Sequence, residues 1–120
     1  MNAGRAADYV GHMHEAAQLA CSYVEGLDQS AFTGDRRTQQ AVILNLVVIG
    51  EAATKLAADE PELVARFPEV PWKNMRGMRN RIAHGYFDID LAIVWQTVRT
   101  VCPHSSCSWP RFRSHSPTVR

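Results

Sequence analysis

The sequence predicts an all-α protein, an antiparallel up-and-down four-helix bundle. Apolar residues recur at three- and four-residue steps over four stretches. The links between those stretches are short and marked by Asp, Gly and Pro. No pair of alternating segments reads as a hairpin. Four helices with short links close a core most simply as a bundle.

The first helix is expected over 5–27, where Tyr9, Val10, Met13, Ala17, Ala20, Val24 and Leu27 form one apolar stripe. Asp28, Ser30 and Gly34 mark a loop. Asp35 is placed to cap a second helix through Ala58, with its acid at the positive N-terminal end. The segment from Ala41 to Ile49 is rich in β-branched residues and alone could be a buried strand. It runs straight into Glu51–Ala58, a strong helix former, so length favours helix. This helix is apolar nearly all round and calls for burial on more than one side, which a second chain can supply.

Pro61, Pro68 and Pro71 punctuate a connection around Leu63, Val64 and Phe67. Pro71 suits the first turn of a third helix that runs to Ala83 or His84 and stops at Gly85. Asp88 is the expected cap of a fourth helix from Ile89 to Val101. Beyond it, residues 102–120 hold three prolines, five serines and no acid, and the apolar period is lost. A disordered tail and a frameshifted ending both account for that change.

At 120 residues the chain has the length of one domain. Its net charge of +1 excludes a molecule that is basic throughout. No window offers about 20 uninterrupted apolar residues, so no membrane span is expected. The N-terminal residues lack the apolar stretch of a secretory signal, and a cytoplasmic protein is expected. Cys21, Cys102 and Cys107 are odd in number, at spacings that suggest no disulfide framework. Cys102, His104, Cys107 and His115 lack the paired spacing of a zinc module, and His12, His14 and Glu15 point to different sides of a helix. No metal site or cofactor is expected.

Charge distribution is more telling than net charge. Lys73, Arg76, Arg79 and Arg81 lie within nine residues that contain no acid. Such a patch on a near-neutral protein suits local phosphate handling, although a solvated basic face has the same composition. Within it, Arg79 and His84 are five positions apart, Asn80 follows the arginine, and Tyr86 lies two positions beyond the histidine. RNA carries its own nucleophile, the 2′-hydroxyl. Its cleavage needs a group that moves protons near neutral pH and a fixed positive charge on the phosphate. Imidazole and guanidinium supply these.

The stretch MRNRIAHGYFDID, Met78–Asp90, resembles the R-x4-H-x-Y signature of the HepT-like ribonuclease toxins within the HEPN superfamily. Ile49–Ala53 and Val70–Trp72 resemble that family's second-helix block and third-helix entry. The likeness spans roughly residues 5 to 101 and is lost after Val101.

The resemblance implies a metal-independent endoribonuclease, the toxin of a toxin–antitoxin pair. Arg79 would be the phosphate clamp and His84 the general acid/base, with Asn80 and Tyr86 in support. It also implies a homodimer, and a minimal nucleotidyltransferase antitoxin that transfers AMP to Tyr86. Five positions on a helix are about 140° of rotation. Either the helix unwinds before Gly85, or the working site combines two chains. Glu51 stays open between supporting the site and pairing with an arginine. Two other readings remain: a non-catalytic HEPN module that binds nucleotide or RNA beside a nucleotidyltransferase, and a purely structural helical dimer.

Overall fold

A computed structural model describes residues 2–102, and side chains from Arg5 onward. All regular secondary structure among the described residues is helical, with no strand. The helices are α1 (Asn2–Val24), α2 (Gln29–Thr33), α3 (Arg36–Asp59), α4 (Pro61–Arg66), α5 (Trp72–His84) and α6 (Leu91–Val101). A 3₁₀ turn, Tyr86–Asp88, joins α5 to α6. His104, Cys107 and His115, set aside above as metal ligands, and nearly all of the atypical tail lie outside the described residues.

Packing follows the apolar stripes. α3 is central and packs most extensively on α1 and α5. α1 contributes Val10, Met13 and a run of small residues, Ala16, Ala17 and Ala20, all buried. α3 contributes Val42, Leu46, Ile49, Ala53 and Leu56. α6 closes the core with Val94, Val98 and Val101, each fully buried. Asn45, buried in the middle of α3, donates from its amide to the Ala41 carbonyl at 2.9 Å, which satisfies that group within its own helix.

Three aspartates start helices by accepting backbone N–H groups that no helical carbonyl can reach. Asp28 accepts from Ala31 at 2.8 Å, Asp35 from Thr38 at 3.1 Å and Asp90 from Ala92 at 2.9 Å. Two of these correct sequence expectations. Asp28 opens α2, a short helix inside the expected loop, which exists because Phe32 reaches the core and stacks at a tilt on Trp95, centroids 5.3 Å apart. The last helix is capped by Asp90 instead of Asp88, since Tyr86–Asp88 is taken up by the 3₁₀ turn.

Other boundaries move for similar reasons. α1 ends at Val24, because Gly26 turns the chain at a positive φ of 80°. The expected connection around Leu63 contains α4, started by Pro61. Pro71 precedes α5, and Trp72 anchors its start by donating from the indole to the Phe67 carbonyl at 2.9 Å.

One further expectation is revised. Cys21 on α1 and Cys102 at the end of α6 form a disulfide, with Cα atoms 5.5 Å apart. Their separation of 81 positions gave no spacing signal, because the fold brings them together. α3 is also long and apolar enough, by length and composition, to cross a membrane, despite Asn45 and Glu51. Half of its most apolar window is buried within the fold, as a central helix requires.

Candidate active site

Arg79 and His84 both lie on α5, which remains helical through His84. The helix therefore does not unwind before Gly85, and the two side chains leave the axis about 140° apart. Gly85 ends the helix, its N–H donating to the Arg81 carbonyl at 3.0 Å.

Arg79 is held from two sides. Its Nε donates to Glu51 Oε2 at 2.9 Å, and Nη2 lies 2.9 Å from the same oxygen. Its Nη1 donates to Asn80 Oδ1 at 2.8 Å. Glu51 thus pairs with the motif arginine. Asn80 holds the same guanidinium, neither the histidine nor neighbouring backbone. The ion pair is only partly buried, with side chains 31% and 45% exposed for Arg79 and Glu51, so it fixes direction more than it adds stability.

The close approach behind this pair comes from Gly50. A Cβ built there would meet the Arg79 side chain and lie 2.7 Å from the Met75 carbonyl oxygen. Only a residue without a side chain lets α3 and α5 meet here. Sequence reasoning noted the Ile49–Ala53 block without this reason for its glycine.

His84 is exposed and ends α5. With Arg81 it places positive or dipolar groups near the helix C-terminus, where the backbone dipole favours them. Tyr86, at 48% exposure, lies one residue past Gly85 and meets Phe87 edge-on, centroids 5.9 Å apart. Phe87 is 98% exposed, and no periodic signal pointed to it. Beside these residues, Met78, Arg81, Gly85, Asp88, Ile89 and Asp90 line a pocket of about 50 Å³. That is well below the roughly 300 Å³ of small-molecule sites. Among the described residues, no group of three or more His, Cys, Asp or Glu side chains is placed to hold a metal.

With this geometry in place, likeness to known proteins becomes decisive. The family profile "Ribonuclease HepT-like" matches residues 13–104, all four long helices included in whole or large part. The chain belongs to the HepT-like ribonuclease family.

Individual relatives agree with the HepT-like assignment. The chain is 33% identical to "Probable ribonuclease HepT" of Thermococcus cleftensis over 106 residues, 88% of this chain and 94% of the relative. It is 36% identical to "Putative RNase MJ1380" of Methanocaldococcus jannaschii over 89 residues, 74% of this chain and 79% of that one. A third, "Putative RNase MJ0127" of the same organism, is 41% identical over 61% of this chain and 58% of its own length. No solved structure matches the chain. These relatives support a ribonuclease function for the HepT-like chain.

Proposed function

We propose that this HepT-like protein is a metal-independent endoribonuclease, the toxin of a toxin–antitoxin pair, acting in the cytoplasm. The observation that carries this reading is the placement of Arg79. Glu51 and Asn80 hold its guanidinium on the same helix that ends in the solvent-facing His84.

In the proposed reaction the 2′-hydroxyl loses its proton as its oxygen attacks the neighbouring phosphorus. The bond from phosphorus to the 5′-oxygen breaks, and that oxygen takes up a proton. A cyclic phosphate and a 5′-hydroxyl result. His84 moves the protons, and Arg79 meets the negative charge on the phosphate oxygens. No step of this scheme calls on a metal.

Two chains serve the reaction better than one. The 140° separation on an unbroken α5, together with the exposure of His84, favours a site completed across a homodimer. α3 offers a face for it: Leu44, 63% exposed, and Val48 lie on the same side of the helix as Glu51. An apolar face that leads directly to the Glu51–Arg79 pair would bring two motifs to one cleft.

Tyr86 would touch substrate and also serve for control. A minimal nucleotidyltransferase antitoxin would place AMP on its exposed hydroxyl, adding bulk and negative charge where RNA phosphate must sit.

The test is cleavage of several RNA classes by the purified protein in EDTA, beside His84→Ala, with fold and oligomeric state checked for both. Cleavage by the parent chain alone supports the proposal. A folded parent dimer that cuts no RNA refutes it.

A further inference from the structure

The basic residues of α5 separate by face. At 100° per residue, Lys73, Gly77, Asn80 and His84 fall within about 60° of one another, a strip some 16 Å long. All four are exposed, and Gly77 leaves the middle of the strip bare. Arg76, also exposed, flanks it on the side toward Arg79. No acid occurs from Val70 to Phe87. At the His84 end stands Phe87, almost wholly in solvent.

A bare aromatic ring at the end of a cationic strip matches single-stranded nucleic acid, which offers phosphates and unpaired bases together. A second copy of this chain packed directly here would set Lys73 and Arg76 against their own copies, with no acid between Val70 and Phe87 to offset them.

We infer that the exposed face of α5 and Phe87 form a track for single-stranded RNA. Lys73 and Arg76 contact phosphates away from the scissile one, and Phe87 stacks on a base beside His84. The inference rests on the ribonuclease reading and extends it to the form of the substrate. A base paired in a duplex has no free face for Phe87, so duplex RNA binds more weakly.

The test uses the His84→Ala chain as a non-cleaving binder and measures its affinity for a single-stranded oligoribonucleotide and for the matching duplex across a salt series. The single strand should bind more tightly. Lys73→Gln with Arg76→Gln should flatten the plot of log affinity against log salt by about 1.4, the value for two lost phosphate contacts on a single strand. Phe87→Ala should weaken binding about tenfold without changing that slope. Arg36→Gln on α3 should change neither. Thermal melting and sizing accompany each variant.

Equal binding of duplex and single strand overturns the track. So do unaltered affinity and slope in the α5 and Phe87 variants while the parent still cuts RNA, an outcome that leaves the ribonuclease reading standing. A Phe87→Ala chain that changes oligomeric state identifies the ring as a contact between copies and also overturns the track. A parent chain that neither binds nor cuts RNA removes both readings.

Discussion

Gly50 on α3 lies against Arg79 on α5 so closely that a Cβ at position 50 would enter the arginine side chain and stand 2.7 Å from the Met75 carbonyl. The motif arginine is therefore aimed by a contact between helices. Gly50→Ala gains helix propensity but meets backbone and a Cβ that cannot swing away. The clash prevails, and the substitution should cost about 1–3 kcal/mol. Chemical denaturation should show that loss, and RNA cleavage should fall with it as Arg79 moves off Glu51.

Glu51→Ala separates positioning from stability. An ion pair this exposed contributes at most about 1 kcal/mol, so the melting temperature should change little. Releasing the guanidinium should nevertheless lower cleavage on the order of 10- to 100-fold. Glu51→Gln, which keeps an oxygen acceptor toward Arg79, should recover part of the rate. A large fall in melting temperature with cleavage intact would assign Glu51 to the fold alone.

Tyr86→Phe tests the control reading. Transfer of AMP to the phenol oxygen, with pyrophosphate released from ATP, should add one AMP to the parent chain when a cognate nucleotidyltransferase is supplied. The Phe variant should gain no mass and should escape inhibition while it continues to cleave RNA. Intact-mass measurement with a parallel cleavage assay decides this.

Cys21 and Cys102 close a loop spanning 81 positions. A bond across so long a loop restricts the unfolded chain by about 4.5 kcal/mol in the chain-entropy account. The oxidised chain should therefore melt higher than the reduced one, and Cys21→Ser should melt like reduced wild type under both conditions. Peptide mapping without reductant should recover the Cys21–Cys102 pair.

Asp35 carries a pH prediction. The Thr38 hydroxyl and backbone N–H hold its carboxyl below the ordinary carboxylate range. The capping contribution is present above about pH 4, the range of an unfolded aspartate, and fades as pH falls through the lower folded value. Asp35→Ala should thus melt below wild type at neutral pH, and the gap should narrow in acid. A gap that widens in acid would contradict this.

Much of the architecture was legible because its causes are local. The stripe through Val10, Met13, Ala17 and Ala20 marks α1, and Asp35 and Gly85 mark the start of α3 and the end of α5. Where local signals compete, they mislead. Asp88 and Asp90 are both good caps, and only the 3₁₀ turn selects Asp90.

The sequence by itself determined an all-helical chain, the residues of the motif and membership of the HepT-like family. Periodicity and capping act over a few neighbouring residues, and a motif is written in order along the chain. Only the tertiary structure decided that Glu51 holds Arg79 from 28 positions away, that Gly50 makes room for that contact, and that Cys21 meets Cys102. It also decided that α5 stays wound through His84 and leaves Phe87 in solvent. These depend on how helix faces meet, and such meetings are set by the packing of the whole core, which no short stretch of sequence specifies.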